Sequence, residues 1–184
     1  MIKSAARAKY LKDRKALSNK VRNQYSKQIA DQLMHYFSLE GKTVSVFMNI
    51  QSFAEVNTSF YFNAGAKQLV LPVVQDEGEL KHFIYESEEQ IRISDWGIPE
   101  PTYGEQLEEE KIDLVIVPMV IADKRGYRVG YGKGFYDDFL KKCRKDCQFV
   151  GVCFYDPIEE IEDVHENDIR IHACVTPSAV HSFH

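Results

Sequence analysis

Neither proline nor glycine interrupts residues 2–37. A stretch that long without either residue keeps every backbone donor and avoids the two poorest helix formers, so a helical start is expected. Acid is nearly absent from the same end. Residues 1–30 hold nine Lys/Arg against Asp13 alone, a local charge of +8, while the remainder carries −13 and the whole chain −5. The basic start is therefore expected to meet something anionic, either the chain's own acidic body or a phosphate ligand. No apolar run approaches the roughly 20 residues of a membrane helix. No apolar segment of the leader-peptide type follows Met1, so a secretory signal is not expected and the chain reads as cytoplasmic.

Cysteine is scarce, with only Cys143, Cys147, Cys153 and Cys174. No C-x-x-C or H-E-x-x-H spacing occurs, which argues against a zinc site. Cys143 and Cys147 are expected on one helix face, and all four thiols read as small buried side chains in a reducing compartment. The six histidines show no ligand spacing. Repeats, low-complexity segments and interdomain linkers are missing too. At 184 residues, 44% apolar and 12% aromatic, the chain fits a single domain over 1–184.

What is present alternates between helix and strand. Leu17, Val21, Tyr25, Ile29, Leu33 and Phe37 recur every four residues, and Ser18 is placed to cap a second helix. Gly41 ends that helix. Residues 43–48 read as a strand, 49–58 as a loop at its C-terminal end, and 58–64 as a short helix. A strand over 68–72 is expected to stop at Pro72, with a turn at 76–79 and a returning strand at 82–85. Residues 96–101 look too proline-rich for regular structure, and 103–111 read as a polar helix or loop. The continuous apolar run 112–120 reads as a buried central strand. A helix begins near Phe135, strands follow at 149–154 and 173–177, and His181 and His184 fall in a tail expected to fray. This pattern predicts a three-layer α/β/α Rossmann-like fold. Its open sheet is mostly parallel, with a hairpin elaboration and an N-terminal helical segment.

The chain's most informative stretch is Arg128-Val-Gly-Tyr-Gly-Lys-Gly-Phe-Tyr-Asp137, read as strand, loop, helix. Glycines at alternate positions, Gly130, Gly132 and Gly134, remove every second side chain, so the backbone N–H groups can approach a ligand. With the following helix start they form an anion cradle. Arg128 and Lys133 add positive charge, and Asp137 adds a carboxylate suited to Mg²⁺. The loop is neither a Walker A motif nor a dinucleotide fingerprint, because its third glycine comes one residue early. A plain tight turn remains open on these residues alone. So does a nicotinamide-dependent oxidoreductase with Asp156 at the ribose, or a nucleic-acid-binding protein using the basic first helix, where Lys3 and Arg7 lie at i, i+4.

The ten-residue stretch resembles the R-x-G-x-G-x-G-[FY]-Y-D signature of the 5-formyltetrahydrofolate cyclo-ligase family. Lys3 and Arg7 resemble that family's N-terminal K-x-x-L-R, with Ala6 in place of the leucine. Glu55-Val-Asn-Thr58 is similar to its E-hydrophobic-[DE]-T segment, with Asn57 in place of the acid. Trp96-Gly-Ile-Pro-Glu-Pro101 and His165-Glu-Asn-Asp168 match two further segments. The resemblance implies ATP- and Mg²⁺-dependent closure of 5-formyltetrahydrofolate to 5,10-methenyltetrahydrofolate by a monomer, with neither nucleic acid nor membrane as a partner. It implies that Lys3, Arg7, Arg128, Gly130, Tyr131, Gly132, Lys133, Gly134, Phe135 and Tyr136 hold ATP, with Arg128 and Lys133 acting on the transferred phosphate. It assigns the reduced folate to Ile50, Glu55, Trp96, Tyr131 and Phe135, and Mg²⁺ to Asp137 and Asp168.

Overall fold

The computed structural model describes residues 1–75, 78–95 and 97–183. Two helices open the chain, α1 (Lys3–Ala16) and α2 (Asn19–Tyr36), and Ser18 separates them by accepting the Val21 N–H at 3.3 Å. Among the described residues twelve strands follow: β1 (Thr43–Ser45), β2 (Gln68–Val74), β3 (Leu80–Ile84), β4 (Ile91–Ile93), β5 (Pro99–Pro101), β6 (Gln106–Leu107), β7 (Leu114–Pro118), β8 (Ile121–Ala122), β9 (Arg128–Val129), β10 (Gln148–Val152), β11 (Ala173–Val175) and β12 (Val180–Ser182). A third helix, α3 (Phe135–Lys142), lies between β9 and β10.

Eight strands form one sheet in the order β12-β11-β10-β7-β1-β2-β3-β6. The five strands from β11 to β2 are mutually parallel, and antiparallel strands flank them on both sides. Alternation along β7 shows why helices cover both faces. Leu114 and Ile116 point into one cluster with Ile29, Ala30 and Leu33 of α2. Val115 and Val117 point into the other, with Ala6 of α1 and Phe139 and Leu140 of α3. Both faces are apolar, so β7 reads as an unbroken hydrophobic run. Strand order reverses direction between β1 and β7, the place where open α/β sheets form a crevice at their carboxyl ends.

Several local expectations need correction. Beta-strand β2 runs through Pro72 to Val74. Its pairing with β1 ends at Val70, and Tyr85 N–H donates to the Leu69 carbonyl at 2.9 Å. The ladder bonds to β3 therefore fall on odd-numbered residues of β2, and Pro72 turns its missing donor toward a side with no strand. Residues 99–101 are likewise a strand, paired with β4. Bonds from Thr102 N–H to the Gln90 carbonyl and from Ser94 N–H to the Ile98 carbonyl frame the ribbon, leaving both prolines at positions that need no donor. The segment 58–64 keeps only a 3₁₀ turn at Ser59–Tyr61. Residues 103–111 hold β6 and a 3₁₀ turn at Glu109–Lys111.

Helix α3 stops at Lys142, so Cys147 lies beyond it and does not share a helix face with Cys143. All four thiols are free, and three are buried. His181 is held in β12, and its ring meets Asp156 at 3.1 Å; His184 lies outside the described residues. The glycine loop does not follow the central strand directly. A small β8–β9 hairpin intervenes. Its turn is organised by Asp123, whose side chain is fully buried and accepts the N–H groups of Arg125, Tyr127 and Ile161.

Candidate active site

A cavity of about 450 Å³ opens at the carboxyl ends of β1, β2 and β7. One wall is the glycine loop. Gly132 and Gly134 have φ of +86° and +77°, the left-handed region where a side chain would be strained. Arg7 from α1 lies across this loop. Its Nε donates to the Gly130 carbonyl at 2.7 Å, and a Cβ on Gly132 would sit 3.4 Å from the guanidinium carbon. Lys133 is exposed at the loop's rim and faces the same space. Phe135 packs its ring over Gly78, where a Cβ would come within 2.6 Å of it.

The charges in this wall are cross-paired. Arg128, only 5% exposed in its side chain, donates to Asp137 Oδ1 at 2.8 Å and also to the Ile169 carbonyl. The Ile169 N–H returns to the same Asp137 oxygen at 2.9 Å. Lys3 Nζ meets Asp168 Oδ2 at 2.5 Å, and the His165 N–H donates to that oxygen at 2.6 Å. Burial alone would raise the Asp168 carboxyl, but Lys3 and the His165 N–H outweigh it and hold the group below its ordinary value. Burial pulls the Arg128 guanidinium down, while Asp137 and, more weakly, Asp168 oppose that pull. The basic N-terminus thus meets the acidic segment near residues 160–168. The Met1 amino group contacts the Glu160 carbonyl and the Glu162 carboxylate, both at 2.8 Å, and the Lys3 N–H donates to Asp163 at 2.6 Å.

The opposite wall is apolar and aromatic, with a single carboxylate. Phe47, Met48, Val74, Leu80 and Pro118 contribute surface, and Ile50 and Glu55 come from the loop after β1. Glu55 is buried at 6% exposure, and its Oε2 accepts the Ile50 N–H at 2.5 Å. Its Oε1 accepts from the Tyr131 hydroxyl, so this loop and the glycine loop touch across the cavity. Burial pushes the Glu55 carboxyl up, against the opposing effects of the Ile50 N–H, Tyr131 and Arg14.

Fourteen of the fifteen residues assigned above line this one cavity. The fifteenth, Trp96, lies outside the described residues. Asp156 sits elsewhere, accepting from Thr176 and Ser178 hydroxyls at 2.6 and 2.7 Å, so it does not face the glycine loop as a ribose partner. Two participants carried no sequence signal. Phe53 stacks on Tyr131 with ring centroids 4.7 Å apart and planes 20° from parallel. Arg14 is one base among nine in the first thirty residues, yet it is buried at 2% exposure beneath Tyr131.

The sequence model of the 5-formyltetrahydrofolate cyclo-ligase family matches residues 1–177, the span that supplies every wall of the cavity. The chain belongs to that family. It is 30% identical over 175 residues to the 5-formyltetrahydrofolate cyclo-ligase of Escherichia coli strain K12, covering 91% of this chain and 96% of that one. It is 29% identical over 185 residues to the Mus musculus enzyme of the same name, covering 92% and 90%. Among solved structures it is similar to the Aquifex aeolicus 5,10-methenyltetrahydrofolate synthetase, with TM-score 0.80 and 28% identity, over 99% of this chain and 93% of that one. The cyclo-ligase family is a family of ligases, and this chain carries a mixed, mostly parallel eight-stranded sheet. Among the described residues no helix is long and apolar enough to cross a membrane.

Proposed function

We propose that this chain closes 5-formyltetrahydrofolate to 5,10-methenyltetrahydrofolate, converting ATP to ADP and phosphate. The observation that carries the reading is one cavity with two unlike walls. A glycine loop with Arg7, Lys133 and cross-paired carboxylates faces an apolar, aromatic wall that ends in Glu55. The first suits a polyanion and the second a flat, amide-bearing heterocycle. The formyl oxygen is a poor leaving group until phosphorylated. It takes the terminal phosphoryl group of ATP as the bond to ADP breaks. The folate N10 then attacks the activated carbon, phosphate departs and the N10 proton is lost. In this reading the chain supplies no nucleophile. Lys133, Arg128 and the loop N–H groups hold and neutralise the phosphates, and the aromatic wall excludes water and orients the folate.

Asp137 and Asp168 are the residues that would hold Mg²⁺. One or two carboxylates with substrate phosphates are the usual donor set for this ion, and both carboxylates line the phosphate wall. Bound there, the ion would spread the charge that develops on the phosphate oxygens. The reaction as read needs no second copy of the chain, and we further propose that the enzyme acts as a monomer in the cytoplasm. Mixing protein, MgATP and 5-formyltetrahydrofolate and following absorbance of the methenyl product tests the reaction. No product at any Mg²⁺ concentration would refute it.

Two predictions concern the cations. Lys133→Ala is expected to weaken ATP by about ten- to hundred-fold, the effect of one lost charge-assisted contact of about 1.5–3 kcal/mol, and to leave the folate constant nearly unchanged. Calorimetry with a non-hydrolysable ATP analogue reads this directly, and unaltered affinity would return Lys133 to the solvated surface. Lys3→Ala/Arg7→Ala is expected to raise the apparent ATP constant by about ten-fold or more. It also removes the partly buried Lys3–Asp168 pair. A loss of ~1 kcal/mol there would lower the melting temperature by about 2–4 °C. ATP should protect α1 from proteolysis in the wild type and not in the double variant. Equal ATP affinity in both proteins would remove α1 from the nucleotide site.

A further inference from the structure

Arg14 sits on the buried side of α1 and reaches two elements of the site. Its Nη1 donates to the Met119 carbonyl, just past β7, at 3.1 Å, and its Nη2 donates to the Tyr131 oxygen at 2.8 Å. A guanidinium has no acceptor. The Tyr131 oxygen therefore receives from Arg14, and its own proton must point elsewhere. It points to Glu55 Oε1. The second Glu55 oxygen is committed to the Ile50 N–H. Arg14 and the Ile50 N–H can only donate and an ionised Glu55 can only accept, so together they fix the direction of every bond in this series.

We propose that Arg14 is a positioning residue of the active site, which commits the Tyr131 proton to Glu55 and so holds the loop after β1 against the glycine loop. The proposal rests on the reading given under Proposed function. It adds a residue that touches neither substrate in that reading and acts through Tyr131. Without Arg14 the Tyr131 hydroxyl gains a choice of orientation, and Glu55 loses both a polarised donor and a nearby positive charge. The charged and titratable groups facing Glu55 are Arg14 from α1, Tyr131 from the glycine loop and Tyr136 from α3. Of these, only Arg14 is cationic. Ionised Glu55 is acceptor-only and can take the Ile50 N–H, the Tyr131 hydroxyl and a substrate N–H together, whereas protonation gives it a proton of its own to place among those donors. On the proposal, activity is present above its pKa and lost as pH falls through it. Arg14 lowers that pKa. Its removal moves the acid limb of the pH profile upward.

The test uses the full chain and four variants. Arg14→Met is expected to raise KM for 5-formyltetrahydrofolate about ten-fold, and the apparent ATP constant by a smaller factor, because the Tyr131 it orients also belongs to the glycine loop. The acid limb of kcat/KM should move to higher pH by about one unit or more, the usual effect of losing an opposite charge. Arg14→Lys keeps the charge and should return the limb toward wild type. Tyr131→Phe cuts the same chain while leaving the Arg14–Met119 bond, and should move the limb in the same direction. The double variant Arg14→Met/Tyr131→Phe should move it no further than the larger single change, because the two residues act in series. If Arg14→Met does not fold, Tyr131→Phe and Arg14→Lys decide. An unmoved acid limb in Tyr131→Phe, or equal behaviour of Arg14→Lys and Arg14→Met, overturns the proposal. Titration of the Glu55 carboxyl by carbon NMR reads the coupling without turnover. If the wild type makes no methenyl product, the reaction assignment fails, while that titration still decides the role of Arg14.

Discussion

Replacing Asp137 with asparagine is expected to lower turnover by about 10²–10³-fold, the usual loss when one charge-stabilising group leaves an active site, while the chain stays folded. Both halves of that expectation come from the same oxygen. Asp137 Oδ1 accepts from Arg128 at 2.8 Å and from the Ile169 N–H at 2.9 Å. Asparagine keeps a carbonyl oxygen in that place, so both donors retain an acceptor. The Ile169 bond becomes neutral, and the Arg128 bond stays charge-assisted from its donor side but loses its counter-charge, at a cost of roughly 1–3 kcal/mol. What disappears is the negative charge beside the phosphates, and with it one of the two carboxylates available to Mg²⁺. Part of the lost rate should return at high Mg²⁺, because mass action opposes a weakened site. Kinetics across a Mg²⁺ titration, with a melting curve beside it, measure both halves. A variant with wild-type rate at limiting Mg²⁺ would take Asp137 out of the metal site and leave it a purely structural partner of Arg128.

Arg128→Ala is expected to affect both stability and ATP binding. The guanidinium is 95% buried, and it bridges Asp137 and the Ile169 carbonyl. Truncation leaves a carboxylate without its cation and a carbonyl without its donor. Breaking a buried pair from one side costs about 3–5 kcal/mol. Asp137 is 26% exposed and can be partly hydrated, so ~2–4 kcal/mol is the expected loss here. It should appear as a lower urea midpoint with little change in slope. MgATP, which should raise the wild-type melting temperature, should raise that of the variant much less. Arg128→Lys keeps one charge and can rebuild only part of the fork, so it should fall between the two. A midpoint within error of wild type would mean that the pair contributes nothing to the fold.

Lys133 and Arg128 were placed at the glycine loop by their positions within it, and the cavity holds them there. The acids and bases of α1 and residues 160–168 were not legible in the same way. Lys3 and Asp168 are 165 positions apart, and nothing in the charge pattern says that they meet. Arg14 looks like any other base of a basic helix until α1 is docked on β8 and β9. Phe53 sits in a polar loop, and its partner Tyr131 lies far along the chain. The errors have a similar origin. Pro72, Pro99 and Pro101 were read as strand breakers because a proline lacks a donor. The tertiary register decided that each faces a side where no donor is needed.

The residues by themselves determined whatever depends on a few neighbours. The helices of the first thirty-six positions follow from a four-residue apolar repeat and a Ser18 cap. The buried central strand follows from an unbroken apolar run. The glycine loop follows from positions that a side chain would strain, as the φ angles of Gly132 and Gly134 bear out. Tertiary structure alone decided the pairings: Lys3 with Asp168, Arg128 with Asp137, and Arg14 through Tyr131 to Glu55. The physical reason is the order of the sheet. Placing β7 beside β1 brings the loops after both strands to one crevice, and docking α1 over β8 and β9 carries its bases into the same space. Hydrogen bonds reach about 3 Å, and only that packing brings donors and acceptors from distant parts of the chain within it.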